Sequence, residues 1–242
     1  MKRLSQVKDE AEFLSQRNSR LNEVLRVFRI AIEFIRGFRA FHFLPPAVTV
    51  FGSARFAEDH PYYALARRIG ELLAKEGFVV VTGGGPGLME AANRGAKEAG
   101  GYSVGANIIL PREQKPNPYL DRFVNFYYFF VRKVILVKYS YAFVILPGGF
   151  GTLDELTEAL TLIQTGKLYD FPVVLMCKDY WSGFLEWSEK VLVKEKTISP
   201  DDLKLIKVTD DPEEALAIIR HASQRLRLPL KKPSDMGLGL RE

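Results

Sequence analysis

Cysteine and histidine are scarce in this sequence, and their scarcity excludes several kinds of site. The only cysteine, Cys177, cannot form a disulfide within the chain, which agrees with a reducing compartment. It lies in PVVLMCKD, an apolar run typical of a buried strand, so we expect a core thiol and no nucleophile. The three histidines, His42, His60 and His221, are far apart and lack metal-ligand spacing. The sequence therefore predicts no bound metal.

Long apolar runs are also missing. No run approaches the roughly 20 residues that a helix needs to span a bilayer, so no membrane is expected. The first residues, MKRLSQVKDEAEF, lack the apolar core of a signal peptide, and we expect a cytoplasmic protein. With 47% apolar and 26% charged residues, the composition is typical of a soluble globular chain.

The net charge of +5 is unevenly distributed along the chain. Residues 1–46 contain nine Lys or Arg against five Asp or Glu, whereas the remaining 25 basic and 24 acidic residues nearly cancel. Because a nucleic-acid backbone would need a basic body, we expect no nucleic-acid partner. An interaction protein that uses a basic arm on a membrane or nucleic acid is the alternative that the charge pattern leaves open.

Residues 1–46 form this arm, and part of it has the apolar pattern of a helix. In LNEVLRVFRIAIEFIRGFRAF, apolar side chains recur at helical spacing, and Arg26, Arg29, Glu33 and Arg36 fall on the other side. An amphipathic basic helix can lie on a membrane, but we favour docking on its own domain or on a sister subunit. The apolar positions are Leu21, Val24, Leu25, Phe28, Ile32 and Ile35.

Pro45-Pro46 separates the arm from a body, residues 47–227, and residues 228–242 are predicted to be a flexible tail. In the body, apolar β-rich runs alternate with helical patterns, which is typical of an α/β, doubly wound, mostly parallel sheet. We therefore predict a Rossmann-like fold. Three strands end in turns of small residues: VFGSAR, VTGGGPG and LPGGFGT. Because the carboxyl ends of parallel strands meet at one edge, we expect these turns to lie together.

The third turn, in LPGGFGTLDELTE, concentrates glycine where a strand ends and a helix begins. Such a turn leaves backbone N–H groups open at the positive end of the helix dipole, and a threonine adds a hydroxyl. Phosphate is the natural ligand of this arrangement. Three acids follow: Asp154, Glu155 and Glu158. Stabilisation of the dipole alone is the first explanation for Asp154 and Glu158, whereas an acid beside a bound phosphate would have to face another part of the ligand.

The second turn, TGGGPGLME, does not identify a ligand by itself. It lacks the G-x-G-x-x-G register of a dinucleotide site, and no acidic residue ends the following strand, YSVGANII. The P-loop pattern is absent too, because no G-K-[ST] follows. Tight packing of helix on strand explains each of these glycines about as well as contact with a ligand does.

Five motifs, VFGSAR, GGGPGLMEAANRGA, PRE, VRK and PGGFGTLDE, follow in this order and resemble the LOG ("lonely guy") family over roughly residues 47–210. GGGPGLM and PGG-x-GT-x-x-E are specific in combination. The resemblance implies a Rossmann-like fold, at least a dimer, and hydrolysis of the N-glycosidic bond of a nucleoside 5′-monophosphate. The products would be a free base and ribose 5-phosphate, and no cofactor is required.

Carried over residue by residue, the resemblance places the catalytic pair at Arg132 and Glu155. A carboxylate there can stabilise an oxocarbenium-like sugar or act on water, and an arginine can clamp phosphate or keep the acid ionised. For Arg132 and Lys133 the alternative is a solvated helix face. The positions implied to contact the substrate are Gly52, Ser53, Gly84, Gly85, Gly87, Glu113, Lys133, Gly148, Gly149, Gly151, Thr152, Asp154 and Thr161.

Some features depart from the family pattern or leave the function open. The arm is extra relative to the short members, and Asp154 stands where many members have glutamate. Ordinary purine nucleotides such as AMP are therefore candidate substrates beside cytokinin nucleotides. The alternative function is a nucleotide or cofactor carrier without turnover, like the related molybdenum-cofactor carriers, although mere binding would need no Glu155. The family's older description as a lysine decarboxylase has no support in these residues, since nothing singles out a Schiff-base lysine.

Overall fold

The computed structural model describes residues 20–110 and 115–230, and helices and strands alternate along the body. The α-helices are α1 Arg20–Phe41, α2 Pro61–Glu76, α3 Leu88–Glu98, α4 Phe129–Tyr139, α5 Phe150–Gln164, α6 Lys178–Trp187 and α7 Pro212–Arg225. The strands are β1 Ala47–Phe51, β2 Val79–Thr82, β3 Ser103–Ile108, β4 Arg122–Phe126, β5 Ser140–Ile145, β6 Val173–Met176 and β7 Ile206–Thr209.

The strands of the described residues form one seven-stranded sheet in the order β4-β3-β2-β1-β5-β6-β7. Every pairing is parallel, so the predicted α/β, doubly wound, Rossmann-like fold is confirmed. The chain builds outward from β1 to β4 and then returns to β5 on the other side of β1. The order of the strands therefore reverses between β1 and β5. In sheets of this kind, ligands bind beyond the carboxyl ends of the strands at such a reversal.

Apolar side chains cover both faces of the sheet because successive residues of a strand point to opposite faces. In β5, Phe143 and Ile145 belong to the core that α1, α4 and α5 cover, whereas Ala142 and Val144 belong to the core that α2, α3 and α7 cover. Strands buried on both faces read as continuous apolar runs. The VVVT of β2 and the VVLM of β6 are runs of this kind, and every residue in them is buried.

Helix α1 docks on the body through Glu33, Gly37, Ala40 and Phe41, all of which are buried. Gly37 permits close approach, because a Cβ there would lie 2.9 Å from Ile135 Cγ1 of α4. Docking of α1, the described helix of the arm, on its own domain is therefore confirmed. The prediction that Glu33 lies on the solvent side is wrong, since this carboxylate is 5% exposed and faces the body.

The predicted apolar face of α1 is the one that the structure leaves exposed. Its six side chains, from Leu21 to Ile35, are between 49% and 68% exposed. The face was wrongly assigned because α1 carries apolar side chains on two opposite sides, and the spacing alone does not say which side docks. The second side, partly buried against the core, consists of Ile30, Phe34 and Phe38.

The limits of the three predicted segments stay predictions, since residues 1–19 of the arm and 231–242 of the tail lie outside the described residues. The first described part of the tail packs on the body, where Leu228 and Leu230 are partly buried against the core. Among residues 20–110 and 115–230, no helix is both long and apolar enough to cross a membrane.

Candidate active site

The turns after β1, β2 and β5 meet at the carboxyl edge of the sheet, where the order of the strands reverses. The backbone of Ser53, in the first turn, joins the other two. Its N–H donates a hydrogen bond to Pro147 O of the third turn at 3.0 Å. Its carbonyl oxygen accepts one from Leu88 N, directly after the second turn, at 3.0 Å. The expectation that the three turns lie together is confirmed.

The glycines of the first two turns are required by close packing. A Cβ on Gly52 would lie 2.9 Å from Cβ of Leu88, the first residue of α3, and a Cβ on Gly87 would lie 2.5 Å from Ser53 O. Gly84 and Gly87 also have left-handed φ angles of 72° and 70°, which favour glycine. Packing and backbone conformation thus account for three of these glycines. Substrate contact at these positions, at Ser53 and at the buried Gly85 stays a prediction.

The glycines of the third turn differ from one another. Gly148 is buried, and a Cβ there would overlap Thr152 Oγ1 at 2.1 Å, so only glycine lets the threonine fold back on the turn. Gly149 and Gly151 are exposed, and a Cβ on either would meet no heavy atom of the described residues within 4 Å. The turn is therefore packed on one side and open on the other, which leaves room for a ligand against its backbone.

Helix α5 begins at this turn without a side-chain cap. Its N-cap residue is Gly149, and no side chain of the described residues accepts a bond from its first N–H groups. Thr152 N and Leu153 N donate hydrogen bonds to Gly149 O at 3.0 Å, so the N–H groups open to a ligand are those of Phe150 and Gly151, and the dipole makes this end positive. No acid lies in the first turn of α5, so Asp154 and Glu155 follow one turn later. An anion such as phosphate would satisfy both the N–H groups and the dipole.

One turn beyond this start, Arg132 of α4 and Glu155 of α5 form a buried ion pair. Arg132 Nη2 donates a hydrogen bond to Glu155 Oε1 at 2.9 Å. The side chain of Glu155 is 1% exposed and that of Arg132 is 12% exposed. Thr152 and Glu155 are three residues apart on the buried side of α5, so the turn and the ion pair share one helix face. The structure thus brings together the two residues predicted to be catalytic.

Each member of the pair keeps one polar atom unused. Glu155 Oε2 and Arg132 Nε are buried and have no hydrogen-bond partner among the described residues. The large majority of buried polar atoms in proteins have such a partner, so an exception requires an explanation. The guanidinium is held in place by Glu155 and by the ring of Phe129, whose centroid lies 5.4 Å from Arg132 Cζ. A polar group of a substrate, or a water, would satisfy the two unused atoms.

Burial raises the pKa of Glu155 above its usual value, because the charged carboxylate loses its hydration. The positive charges of Arg132 and Lys133 oppose this shift, whereas Glu158 and Asp154 add to it. Glu155 therefore holds a proton more firmly than an exposed glutamate, and Arg132 is the main group that favours its charged form. Acids tuned in this way are typical of sites that exchange protons with a substrate or water.

Lys133 balances the other acids of the site. Its Nζ lies 2.8 Å from Asp154 Oδ1 and 2.8 Å from Glu158 Oε2. Burial alone would lower the pKa of Lys133, but the two carboxylates outweigh it and raise the pKa. The side chain is 14% exposed. The alternative of a solvated helix face for Arg132 and Lys133 is therefore wrong, and both side chains face the acids of α5.

The sequence patterns missed a buried network that holds the second turn. Asn117 N donates a hydrogen bond to Gly84 O at 2.9 Å, and Asn117 Nδ2 donates one to Gly85 O at 3.1 Å. The same Nδ2 donates to Asn93 Oδ1 of α3 at 2.9 Å. Asn93 also accepts a bond from Thr82 Oγ1 at 2.6 Å, next to the turn. The one signal in the sequence was a polar residue on the otherwise small and apolar face of GLMEAANRGA.

Two more residues that act on the site were missed because they lie far from it in sequence. Tyr180 OH of α6 donates a hydrogen bond to Gly148 O at 2.9 Å and so holds the third turn. Glu33 of the arm accepts bonds from the backbone N–H groups of Tyr127 and Tyr128, where α4 begins. Neither residue belongs to a motif, and only the fold brings them here.

Two predicted residues are not brought to the ion pair by the described structure. Thr161 is exposed on α5, where its Oγ1 donates to Thr157 O at 2.8 Å. It follows Glu155 by six residues, or about 9 Å along the helix axis. Glu113 lies outside the described residues, and the substrate roles of both stay predictions. In the described ranges, no three His, Cys, Asp or Glu side chains gather as they would around a metal ion.

Known proteins resemble this chain in sequence and in structure. A protein of Oryza sativa subsp. japonica named probable cytokinin riboside 5′-monophosphate phosphoribohydrolase LOGL5 is 34% identical over 164 residues, which cover 66% of this chain and 65% of the rice protein. The chain thus spans just under two thirds of that relative. A Mycobacterium tuberculosis protein named cytokinin riboside 5′-monophosphate phosphoribohydrolase is 33% identical over 158 residues, which cover 63% of this chain and 82% of the mycobacterial protein.

A solved structure of a molybdenum cofactor binding protein from Rippkaea orientalis matches with a TM-score of 0.55 and 25% identity, over 74% of this chain and 98% of the other. A family model described as "Possible lysine decarboxylase" matches residues 89–219, just over half of the chain. That range includes Arg132, Glu155 and the whole third turn. The chain therefore belongs to the LOG family, whose sequence model bears the description "Possible lysine decarboxylase".

Proposed function

We propose that this protein hydrolyses the N-glycosidic bond of a nucleoside 5′-monophosphate to give a free base and ribose 5-phosphate. The observation that carries the proposal is the buried Arg132–Glu155 pair, which has an unused carboxylate oxygen and follows an open glycine turn. The names of the rice and mycobacterial relatives support the same reaction. No metal or organic cofactor is part of this proposal.

The third turn is the proposed site of the 5′-phosphate. The open backbone around Gly149 and Gly151 and the uncapped start of α5 offer N–H groups and partial positive charge. Thr152, folded against Gly148, offers a hydroxyl at the same place. Glu155 lies one helical turn further on, so a ligand whose phosphate sits at the turn has its sugar toward the carboxylate. This placement keeps the phosphate and the acid apart.

Glu155 is the proposed catalytic carboxylate. As the bond from C1′ to the base breaks, its electron pair goes to the base nitrogen, and positive charge develops on the sugar. The Glu155 carboxylate stabilises that charge and accepts a proton from the water whose oxygen bonds to C1′. The departing base gains one proton, which balances the proton that the water gives up, so that Glu155 returns to its charged form and one water is consumed for each base released. The unused Oε2 is the atom available for the water or the sugar.

Arg132 is proposed to keep Glu155 ionised and aimed. Its guanidinium cannot lose its charge in a protein, and it occupies Glu155 Oε1, which leaves Oε2 for the reaction. Lys133 supports this role by neutralising Asp154 and Glu158. Without these two cations, three neighbouring acids would each favour protonation of the others. Contacts of Lys133 and Asp154 with the substrate remain part of the proposal.

A screen of nucleoside 5′-monophosphates for released base tests the reaction. AMP and a cytokinin riboside monophosphate are the first substrates to compare, with adenine or cytokinin measured by chromatography. Glu155→Gln keeps the shape of the side chain but removes its charge, so we expect base release to fall about 10²- to 10⁴-fold while substrate still binds. Glu186→Gln is the matched control, because Glu186 is an exposed glutamate of α6 that pairs with Lys190. Full turnover by Glu155→Gln would remove this residue from the mechanism.

A carrier of a nucleotide or cofactor is the second candidate, and the structural match to the molybdenum cofactor binding protein of Rippkaea orientalis favours it. A carrier needs the open turn but no buried acid with an unused oxygen. Calorimetry with AMP, run beside the chromatographic assay, separates the two functions. Measurable binding with intact AMP after long incubation would favour the carrier, whereas release of adenine favours the hydrolase.

Decarboxylation of lysine is not supported by the site. A lysine that forms a Schiff base needs a lowered pKa, so that its amine is neutral and nucleophilic. The pKa of Lys133 is instead raised by Asp154 and Glu158, and the ammonium is held between them. Lys133 is therefore suited to charge balance.

We also propose that the protein self-associates into a dimer or larger oligomer, as the resemblance implies.

A further inference from the structure

The ring of Phe129 lies beside the buried ion pair and keeps a large part of its surface open. Phe129 is the first residue of α4 and precedes Arg132 by three residues, so the two side chains share one side of the helix. The ring centroid lies 5.4 Å from Arg132 Cζ. The residue is nevertheless 43% exposed, although phenylalanine is usually buried. One part of the ring therefore contacts the guanidinium, and another part is open to a ligand.

The guanidinium of Arg132 connects this ring to the proposed catalytic carboxylate. It lies over the ring of Phe129, and its Nη2 donates a hydrogen bond to Glu155 Oε1 at 2.9 Å. In the proposed reaction, Glu155 acts at C1′, the sugar carbon that carries the base. Because the base is bonded directly to that carbon, it lies within reach of an aromatic ring beside the ion pair. Phe129 is such a ring.

Stacking on an aromatic side chain is a common way in which proteins hold a nucleobase. Every base has a flat π face, and an aromatic ring can contact that face whatever the groups at the edge of the base. A purine has two fused rings, so it covers more of a phenylalanine than the single ring of a pyrimidine does, and it buries more apolar surface. A site that holds the base by stacking therefore favours purines.

We propose that Phe129 forms the base subsite of this protein, in which the base of a purine nucleoside 5′-monophosphate stacks on the open part of the ring. Phe129 then selects purine over pyrimidine nucleotides. This inference rests on the proposed function, which gives the position of C1′, and it names the substrate class of that same site. The phosphate, the sugar and the base then lie in order at the third turn, at Glu155 and at the start of α4. The exposed surface of the ring is the surface that the base covers.

Phe130, the next residue of α4, provides a matched control. It is the same type of residue in the same helical turn, and it is 45% exposed. It points about 100° away from Phe129, however, and its ring packs against that of Tyr128 with the centroids 5.3 Å apart. Exposure therefore does not distinguish the two phenylalanines. Contact with the arginine of the ion pair does.

Binding measurements with Phe129→Leu and Phe130→Leu test the subsite. Each is made in the full chain together with Glu155→Gln, so that the nucleotide stays intact. Leucine keeps an apolar side chain and favours a helix, but it has no π face. Calorimetry measures the dissociation constants of AMP, UMP and ribose 5-phosphate.

We expect Phe129→Leu to raise the dissociation constant of AMP about tenfold and that of UMP about threefold. The constant of ribose 5-phosphate should not change, because this ligand has no base. Phe129→Tyr keeps an aromatic ring and should bind AMP within about twofold of the chain with phenylalanine at this position. Phe130→Leu should leave all three constants unchanged.

Kinetics in the chain with Glu155 intact separate stacking from support of Arg132. If the ring only holds Arg132 in place, Phe129→Leu should slow AMP and UMP equally. The acid limb of the pH profile should then also move to higher pH, because Arg132 lowers the pKa of Glu155. If the ring stacks on the base, kcat/KM should fall more for AMP than for UMP, and the acid limb should stay in place.

Two results would overturn the base subsite even if the protein releases base. Phe129→Leu could weaken AMP and UMP by the same factor, or it could bind AMP as tightly as Phe130→Leu does. Failure of the proposed reaction would give a different result, since no nucleotide would then lose its base. If Phe129→Leu still weakened AMP more than UMP in calorimetry, the subsite would stand and would belong to a carrier.

Discussion

Glu33 Oε1 accepts a hydrogen bond from the backbone N–H of Tyr128 at 3.1 Å, and the same oxygen accepts one from Tyr127 N at 2.9 Å. Tyr128 is the N-cap residue of α4, the helix that carries Arg132. A carboxylate at this position satisfies N–H groups of the helix start and faces the positive end of its dipole. The arm thus fixes the start of the helix that positions the proposed catalytic arginine.

Glu33→Ala is expected to lower the free energy of unfolding by about 1–3 kcal/mol, because it leaves two backbone N–H groups at the start of α4 without this acceptor. Urea denaturation measures this loss. Without this acceptor the start of α4 should shift. Because Arg132 follows Tyr128 by one turn of that helix, the shift should also reduce base release.

Two controls separate capping from a general effect on the arm. Glu33→Gln keeps an oxygen that can accept both bonds, so it should recover most of the lost stability and activity. Glu23→Ala removes an exposed acid of the same helix and should change neither. Equal losses in Glu33→Ala and Glu33→Gln would show that the charge matters and the hydrogen bonds do not.

The fold and the centre of the site could be predicted because their signals are local. Continuous apolar strands such as VVVT and VVLM indicate a sheet buried on both faces, and a parallel sheet places the turns after its strands on one edge. The glycine at position 148 is required by Thr152, which lies only four residues later in the chain. The resemblance then selected Arg132 and Glu155, and the structure places them 2.9 Å apart.

The supporting residues could not be predicted because their partners are distant in sequence. Asn117 and Tyr180 each bind a backbone carbonyl of a glycine turn, and such carbonyls have no sequence signature. Glu33 has the spacing of a solvent-facing residue, yet its carboxylate accepts hydrogen bonds from two backbone N–H groups more than 90 residues away. Helical periodicity shows which residues share a side of α1, but it does not show which side packs on the body.

Asn117→Ala is expected to raise KM for the nucleotide about tenfold, with a smaller change in kcat. Its side chain donates to Gly85 O and Asn93 Oδ1, and its loss leaves both acceptors without this buried donor. The second turn would then be less well ordered, whereas the Arg132–Glu155 pair lies on other elements. Steady-state kinetics measures the two constants. Asn125→Ala, which removes a half-buried amide bonded to Asn107, is the control and should leave KM unchanged.

Tyr180→Phe is expected to weaken substrate binding about three- to tenfold, because the hydroxyl that holds Gly148 O is lost while the ring remains. Gly148 and Thr152 form the packed side of the third turn, so its open side depends on that support. Competition with inorganic phosphate, measured by its inhibition constant, reports on this turn alone. Tyr169→Phe removes an exposed hydroxyl and should have no effect. An unchanged inhibition constant in Tyr180→Phe would show that the turn is rigid without this bond.

The acid limb of the pH profile is the clearest electrostatic prediction. Burial raises the pKa of Glu155 above the usual 4.5, so kcat/KM should rise with pH through that higher value as the carboxylate becomes charged. In Lys133→Gln one cation that lowers this pKa is lost, while Asp154 and Glu158 continue to raise it. The acid limb should therefore move to higher pH. The loss of activity should be large below the new pKa and small well above it.

Lys138→Gln is the control for this shift, because Lys138 belongs to the same helix but is exposed and lies over the ring of Tyr139. Its acid limb should coincide with that of the unchanged protein. If Lys133 instead binds the phosphate, Lys133→Gln should raise KM at every pH and leave the limb in place. If Lys133 only supports the fold, the two lysine variants should differ in melting temperature but share one pH profile. A limb that moves upward with Lys133→Gln alone is expected only when a carboxylate near this lysine must be charged for the reaction.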